Sequence, residues 1–344
     1  MTVSLYYHTI FIIVVLYCLF GNVRKRSVNA FAIPLTLLVT FLMAFLPVSW
    51  NTGSDRELYA SSIEYIRTFG FGNFFQDKLF GIYNNLMAGI VNYQGWFIIT
   101  ALIYSFNHYQ FVKKVVPNYT FLLLLMFFTS LMFYGYGTNT IRAGFAASFI
   151  LLAIANYNSV WKMGLYILLG VGCHMSMAIP SIALIITRFL DKPRLYYALW
   201  FISIILSAVM GSYFEVLFAS IGGDSRVSYL AVSASETSYK VGFRIDFILY
   251  SCIPVLAGYY YIVKKKFKDR FYSILYNTYL LSNCFWILVI RANYSDRFAY
   301  LSWFIYPVVL IYPLLKEHLV INQSKKIILI VFLHALFTYI MFLR

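Results

Sequence analysis

Long runs of apolar residues, separated by short polar segments, recur along the whole chain. Most runs have the roughly 17–25 residues that an α-helix needs to cross a bilayer, and they are continuous rather than alternating, which argues against a β-barrel. The pattern predicts an all-α, polytopic integral membrane protein with one transmembrane domain over residues 1–344. About twelve transmembrane helices are expected, at 3–20, 31–48, 95–112, 119–135, 140–156, 160–173, 175–190, 194–213, 244–263, 270–290, 298–315 and 326–343.

The segment 71–94 departs from this pattern. It is amphipathic, and Gly81, Gly89 and several asparagines interrupt its apolar positions. Such a segment is typical of a helix that lies at the membrane surface or re-enters it. We therefore expect an interfacial helix near 71–94 on the outer face.

The composition excludes an ordinary soluble domain, because 62% of the residues are hydrophobic and only 11% are charged, against about 25% charged in soluble proteins. If 71–94 does not span, one side receives twelve of the 14 lysines and five of the 13 arginines, but only three of the 12 acidic residues. The positive-inside rule makes that side cytoplasmic. The formal net charge of +15 is therefore a topology signal, and no nucleic-acid partner is expected.

The predicted outer side has a bias of its own, with eight arginines but only two lysines, Lys78 and Lys240. Topology does not require it. The planar guanidinium of arginine binds carboxylate and phosphate groups bidentately and keeps its charge in a low-dielectric cleft. The bias favours an anionic ligand, and the alternative is that these arginines pair with the nine outer acidic residues or with lipid headgroups. The eight are Arg56, Arg67, Arg142, Arg226, Arg244, Arg291, Arg297 and Arg344.

Two polar clusters follow or precede predicted spans on this side. In the outer loop 49–94, Asp55 and Arg56 stand at the start of a short surface helix, where Asp55 is either an N-cap or a catalytic or acceptor-binding carboxylate. Asn139 and Arg142 precede or begin the span 140–156. An arginine at that depth is costly unless it is paired or faces a polar cavity, and the free amides of a helix start also favour an anion. Arg142 is the strongest candidate for a phosphate-binding residue.

Two further clusters contain groups suited to proton transfer or anion binding. His174 lies in a tight turn between two spans and is either a proton-transfer group or a hydrogen-bonded structural residue. Near the C-terminus, Arg291 and Arg297 bracket Asp296, which fits a buried ion pair or a pyrophosphate clamp. The outer loop 214–243, which leads into Arg244, is long enough to be a lid over the site.

No clustered cysteine, histidine or acidic residues have the spacing of a metal site, and no glycine-rich phosphate loop is present. The four cysteines, Cys18, Cys173, Cys252 and Cys284, lie in or beside apolar spans without a CxxC spacing. We therefore expect packed thiols, no metal and no cofactor.

Four short motifs occur in order along the chain: Gly53-Ser54-Asp55 with Tyr59, Asn139-Thr140-Ile141-Arg142 with Ala146, His174-Met175-Ser176, and Asp296-Arg297 with Tyr300. Together with the spans, they resemble the EpsG family of bacterial polysaccharide polymerases, Wzy-like enzymes that polymerise O-antigen, capsule or exopolysaccharide units. The resemblance covers nearly the whole chain. Arg56 stands where members often have an aromatic residue, and Ala143 where they have glutamine.

The resemblance implies a GT-C-like, metal-independent glycosyltransferase in the bacterial inner or plasma membrane, with its site facing the periplasm or the exterior. It would join repeat units linked to undecaprenyl pyrophosphate, and either His174 or Asp55 would deprotonate the acceptor hydroxyl. Implied partners are the lipid-linked glycans, membrane lipids, a chain-length regulator and a flippase. The residues expected to hold the substrate or its pyrophosphate are Arg142, Arg56, Arg244, Arg291, Arg297, Asn139 and Tyr300.

Two other classes fit parts of the sequence. A flippase for lipid-linked sugars needs ionisable groups along a path through the membrane, whereas here groups such as Arg142 and Asp246 lie near span ends. An acyltransferase acting on extracellular polysaccharide would use a histidine, but it needs a route for a cytoplasmic acyl donor. The polymerase is therefore the favoured hypothesis.

Overall fold

The computed structural model of the chain is all-helical, which confirms the predicted all-α class, whereas the GT-C-like class stays a prediction. It describes residues 2–23, 26–72, 75–222, 242–292 and 294–343, and the structure is 81% helix with no strand among these residues. The first nine helices are α1 Val3–Phe20, α2 Ala32–Ala44, α3 Asp55–Phe69, α4 Lys78–Ala88, α5 Tyr93–Val115, α6 Thr120–Phe128, α7 Leu131–Thr138, α8 Ile141–Ala155 and α9 Val160–Cys173. The others are α10 Ala178–Phe189, α11 Pro193–Met210, α12 Tyr213–Gly222, α13 Ile245–Tyr259, α14 Arg270–Leu288, α15 Ser295–Trp303, α16 Tyr306–Lys316 and α17 Gln323–Leu343.

The chain forms two compact units. The first comprises Met1–Ala178 with Leu314–Arg344, and the second comprises Ile179–Pro313. The predicted single domain over 1–344 stays a prediction, and each unit is described by itself. Most of the predicted outer loop 214–243 lies outside the described residues, as do Lys240, Arg226 and Arg344.

Several helices are long and apolar enough to cross a membrane, which supports a membrane-embedded protein. Six candidate spans occur among the described residues, or up to seven if one bent helix pair is a single span. Three shorter apolar helices correspond to α8, α9 and α10. The predicted count of about twelve is therefore not confirmed. The six are Val3–Phe20, Ser27–Ala44, Pro193–Met210, Ile245–Lys264, Ser295–Lys316 and Gln323–Leu343.

Two long helices, α5 and α14, contain more polar residues than the six candidate spans. They have 23 and 19 residues, so their lengths of about 34 and 28 Å approach or exceed the thickness of a hydrocarbon core. The polar residues are buried inside the protein, with Asn107 and His108 in α5 and Asn277 and Asn283 in α14. Each helix is central to its unit, and its polar side chains contact protein rather than lipid.

The predicted span 119–135 is not one continuous helix. Pro117–Phe128 and Leu131–Thr138 meet at an angle of 72°. At the break, the hydroxyl groups of Thr129 and Ser130 donate to carbonyl oxygens of the preceding turn. Such side chains satisfy the backbone groups that a broken helix leaves open, so the chain can change direction there.

The predicted interfacial segment 71–94 contains α4, which has only 11 residues. A helix of that length is about 16 Å long and cannot cross the hydrocarbon core. Its buried side chains are Phe80, Asn84 and Ala88, one helical turn apart, and Asn84 accepts a 2.9 Å hydrogen bond from the Trp96 indole. Helix α4 is therefore a short amphipathic helix packed on the first unit, and its place at the membrane surface stays a prediction.

Helices α8 and α9 form a close antiparallel hairpin that determines where their ends lie. A Cβ atom on Gly170 would lie 2.5 Å from the Ile150 side chain and 3.1 Å from the Ala146 carbonyl oxygen. Small residues at such a contact allow two backbones to approach closely. The hairpin therefore brings the start of α8 and the end of α9 to the same end of the first unit.

Asn283 is the centre of a buried polar network in the second unit. Its side-chain oxygen accepts from the Trp200 indole at 2.7 Å, and its amide nitrogen donates to the hydroxyls of Ser302 at 2.8 Å and Ser251 at 3.2 Å. Ser251 also accepts from the Trp303 indole at 2.7 Å. The network joins α11, α13, α14 and α15 through one amide.

Asn283→Ala is expected to destabilise the second unit, because the buried groups that now bond to the amide lose their partner. Each unsatisfied buried group costs about 1–3 kcal/mol, so the thermal unfolding midpoint of the purified protein should fall by several degrees. Asn118→Ala, which removes an exposed amide, is the matched control. Equal midpoints for the two variants would contradict this role of Asn283.

Candidate active site

Three of the four predicted outer clusters lie at one end of the first unit. The start of α5 contacts the end of α2, where Gln94 donates to the Ala44 carbonyl at 3.1 Å. Tyr59 of α3 accepts from the backbone N–H of Arg142 at 3.3 Å. The opposite end of the unit carries the contact between Lys114 and Asn156. The separation agrees with the sides that the charge pattern predicts for these segments.

The first cluster is a turn fastened to the start of α3. The Glu57 carboxylate accepts from the backbone N–H groups of Asn51, Thr52 and Gly53 at 2.7–2.9 Å. These bonds, that of Thr52 foremost, lower the pKa of Glu57. Ser54 is the N-cap, so the predicted alternative of Asp55 as the cap is wrong. The half-buried Asp55 carboxylate makes no hydrogen bond or ion pair with any described residue.

Arg56 is buried rather than presented to a ligand. Its guanidinium donates to the Ala44 carbonyl at 2.7 Å and lies over the Phe97 ring, with Cζ 3.7 Å from the centroid. Burial lowers the pKa of Arg56 to about 10, which leaves it charged at neutral pH. These contacts fasten the end of α2 to α3, and the predicted role in pyrophosphate binding stays a prediction.

Tyr59 connects the first cluster to the second. Its ring stacks on Phe75 and Trp96, with centroids 5.6 and 5.4 Å apart, and its hydroxyl contacts the first turn of α8. Asp55 lies one helical turn before Tyr59 and therefore on the same face of α3. The Asp55 carboxylate and the start of α8 therefore both lie beside the first turn of α3.

Arg142 has an acidic partner that the sequence analysis did not identify. Its Nη1 atom lies 2.9 Å from Oδ2 of Asp77, whose side chain is 3% exposed, while the arginine side chain remains 24% exposed. Its Cζ atom lies 5.4 Å from the Phe75 ring centroid. Nε is buried without a hydrogen-bond partner among the described residues. Asn139, three residues earlier, is exposed where α7 ends.

The same carboxylate also holds the third cluster. Oδ1 of Asp77 accepts from the backbone N–H of Met175 at 3.1 Å, in the turn after α9. Asp77 therefore connects Arg142 and the His174 turn, two segments far apart in sequence. The only sequence signal for Asp77 is an acidic residue directly before a short amphipathic helix, and that signal does not reveal a long-range partner.

Hydrogen bonds fix the orientation of the His174 ring. Nδ1 accepts from the Ser176 backbone N–H at 3.3 Å and lies 2.6 Å from the Ser176 hydroxyl oxygen. A backbone N–H can only donate, so Nδ1 is the acceptor nitrogen. A neutral imidazole has one donor and one acceptor nitrogen, so the proton of the neutral ring is on Nε2.

In the second unit, Arg244 is engaged by a carboxylate two residues away. Its Nε and Nη2 atoms donate to the two oxygens of Asp246 at 2.9 and 2.7 Å. Its Cζ lies 3.7 Å from the Phe247 ring centroid. The bonds to Asp246 raise the pKa of Arg244. The guanidinium is therefore held in a bidentate pair at the start of α13.

The predicted ion pair of Asp296 with Arg291 and Arg297 is absent among the described residues. Arg291 instead donates through Nη1 to the carbonyls of Ser207 at 2.5 Å and Gly211 at 3.1 Å, at the end of α11. The exposed Arg297 lies over the Tyr294 ring at 4.6 Å. Tyr300, one turn further, is half-buried beside Trp303.

In the described part of the chain, no group of three or more histidine, cysteine, aspartate and glutamate side chains could hold a metal ion. The four cysteines are free thiols. Among the groups at this end of the first unit, Arg142 and His174 are brought together by the buried Asp77 carboxylate, while the Asp55 carboxylate is accessible.

Comparison with known proteins assigns the chain to a family of sugar polymerases. The model of the EpsG family matches residues 32–344, which is nearly the whole chain. No curated protein and no solved structure shows significant similarity to the chain. The matched range includes every residue of the three clusters described above.

Arg291 and Arg297 are expected to respond differently to replacement by alanine. Arg291→Ala removes the group that binds the carbonyls at the end of α11, so the unfolding midpoint should fall. Arg297→Ala removes an exposed guanidinium and should leave the midpoint within about 1 °C, since exposed substitutions cost little. Thermal unfolding of both purified variants checks this, and an unstable Arg297→Ala would contradict it.

Proposed function

The chain belongs to the EpsG family of Wzy-like polysaccharide polymerases, and from that premise we propose that it polymerises repeat units carried on undecaprenyl pyrophosphate. The product would be a surface polysaccharide, made at the outer face of the bacterial inner or plasma membrane by a GT-C-like enzyme. The observation that supports the proposal most is Arg142, held on buried Asp77 with a quarter of its side chain exposed. It is a positive charge fixed where a lipid pyrophosphate would lie.

The proposed reaction is a glycosyl transfer between two lipid-linked glycans. The acceptor hydroxyl oxygen attacks the anomeric carbon of the donor and forms the new glycosidic bond. The bond between that carbon and the pyrophosphate oxygen breaks, and the lipid pyrophosphate leaves with the electron pair. Arg142 stabilises the negative charge on the leaving oxygen, a contribution that metal-free sites obtain from fixed cations. Metal independence is part of this proposal.

The acceptor proton must go to a base, and Asp55 fits that role better than His174. The Asp55 carboxylate is half-buried and has no partner among the described residues. The His174 nitrogen with a lone pair, Nδ1, is occupied by Ser176. We therefore assign proton abstraction to Asp55 and a hydrogen bond to the pyrophosphate or sugar to Nε2–H of His174.

The predicted sidedness supports a site on the outer face. Lys113, Lys114 and Lys162 belong to the end of the first unit opposite Arg142, which is the end that the positive-inside rule makes cytoplasmic. A flippase that delivers the donor and a regulator of chain length are the partners we propose. The parts that Arg244, Arg291, Arg297 and Tyr300 take in substrate binding stay predictions.

The test is synthesis by purified protein of a glycan ladder from lipid-linked single repeats, extracted from a deletion strain of the producing organism. Wild type should give a ladder without any added cofactor. Arg142→Lys, which keeps the charge beside Asp77 but loses the planar fork, should lower the rate by about 10²–10³.

Other outcomes of the same assay exclude the polymerase. Transfer of the lipid across a vesicle membrane without new bonds would indicate a flippase, and a modified glycan of unchanged length would indicate an acyltransferase. Full activity of Arg142→Lys would show that a point charge suffices and contradict bidentate binding. Arg67→Lys, in a solvent-exposed pair with Glu64, is the matched control and should retain wild-type activity.

The assignment of His174 is tested with His174→Gln and Asp55→Asn. The glutamine amide can donate from the position of Nε2 but cannot take up a proton, so we expect activity within about tenfold of wild type. Loss of a general base typically costs about 10²–10⁴, and we expect that loss for Asp55→Asn. The reverse pattern, with His174→Gln inactive and Asp55→Asn active, would make His174 the base.

A further inference from the structure

We propose that Asp77 is a positioning residue of this site. Its buried carboxylate sets both the orientation of the Arg142 guanidinium and the placement of the turn that carries His174. The inference rests on the proposed function, because it assigns a role within the same site. It adds a residue that belongs to none of the motifs by which the chain resembles its family.

Asp77 does not use its side chain for the capping bond that its position favours. It occupies the N-cap position of α4, where aspartate is favoured because its carboxylate accepts an N–H of the first turn. No such bond is formed here. The two oxygens are directed to Met175 and Arg142 instead, so the carboxylate serves tertiary contacts and not its own helix.

The Asp77 side chain is almost completely buried. With 3% of its side chain exposed, the ionised carboxylate requires partners, because an unpaired charge at such a site is strongly unfavourable. Oδ1 accepts from the turn after α9, and Oδ2 lies beside Arg142 at the start of α8. A displacement of either segment therefore changes the pairing of the same buried charge, and the positions of Arg142 and His174 are coupled.

Arg142 keeps hydrogen-bond donors that the contact with Asp77 does not use. One guanidinium nitrogen is held at 2.9 Å from Asp77 and the Phe75 ring lies 5.4 Å from Cζ, so the plane of the group is constrained. The guanidinium retains donors for a ligand, since arginine has five. A charge oriented before the substrate arrives needs no reorganisation during the reaction, which is the advantage that Asp77 supplies.

The experiment combines Asp77→Asn and Asp77→Glu with Arg142→Lys in the ladder assay. Asparagine keeps an oxygen for the Met175 N–H but loses the charge, and glutamate keeps the charge but displaces it. We expect each to lower the polymerisation rate by about 10–100-fold at a normal protein level, as misplacement of a reacting group does. Glu64→Gln, which breaks the exposed pair with Arg67, is the control and should be fully active.

The decisive measurement is the double variant. If Asp77 acts through Arg142, adding Asp77→Asn to Arg142→Lys should lower the rate by no more than about threefold further, because the two losses overlap. Losses that multiply, full activity of either Asp77 variant, or failure of both to fold would each overturn the inference. Absence of a ladder with the wild type would instead refute the proposed function.

Discussion

The arrangement of the candidate site in the first unit depends on the contact between Asp77 and Arg142. Each group stabilises the other, because a buried carboxylate favours a counter-charge and an arginine in the first turn of an apolar helix favours a partner. Together they hold the start of α4 against the start of α8. Oδ1 of Asp77 also binds the turn after α9. The contact that joins these segments is therefore also the one that orients the proposed catalytic cation.

Polar groups away from water must have hydrogen-bond partners, and the same rule explains how α5 and α14 accommodate their buried polar residues. Asn283 in α14 bonds to groups on three other helices, and Asn107 in α5 donates to Ser148 of α8 at 2.9 Å. Such residues make a helix too polar for the lipid phase but suitable for the interior of a bundle. A search by hydropathy therefore tends to miss the central helices of a membrane protein, since neighbouring helices rather than lipid surround their polar side chains.

The all-α fold class could be predicted from the sequence, and so could the grouping of three polar clusters at one end of the first unit. Apolar runs predict helices because backbone groups in a membrane must form hydrogen bonds within their own segment. The distribution of the lysines predicts which end of each helix is cytoplasmic. Asp77 could not be predicted as the partner of Arg142, because 64 intervening residues give no local sign of the contact. The cap at Ser54 instead of Asp55, and the break after Phe128, depend on side-chain hydrogen bonds that propensity alone does not distinguish.

The excess of arginine over lysine on the predicted outer side has a structural cause at several positions, which the sequence alone does not distinguish from ligand binding. Arg56 and Arg291 donate to carbonyls at helix ends, in positions where a weakly hydrated, planar cation is easier to bury than an ammonium group. Arg244 is engaged by Asp246. The cations with accessible surface for an anion are then few, and in the first unit Arg142 combines that surface with a fixed orientation. Packing and helix ends account for Arg56 and Arg291, whereas the surface that Arg142 keeps exposed beside Asp77 is the surface that the proposed anionic ligand would use.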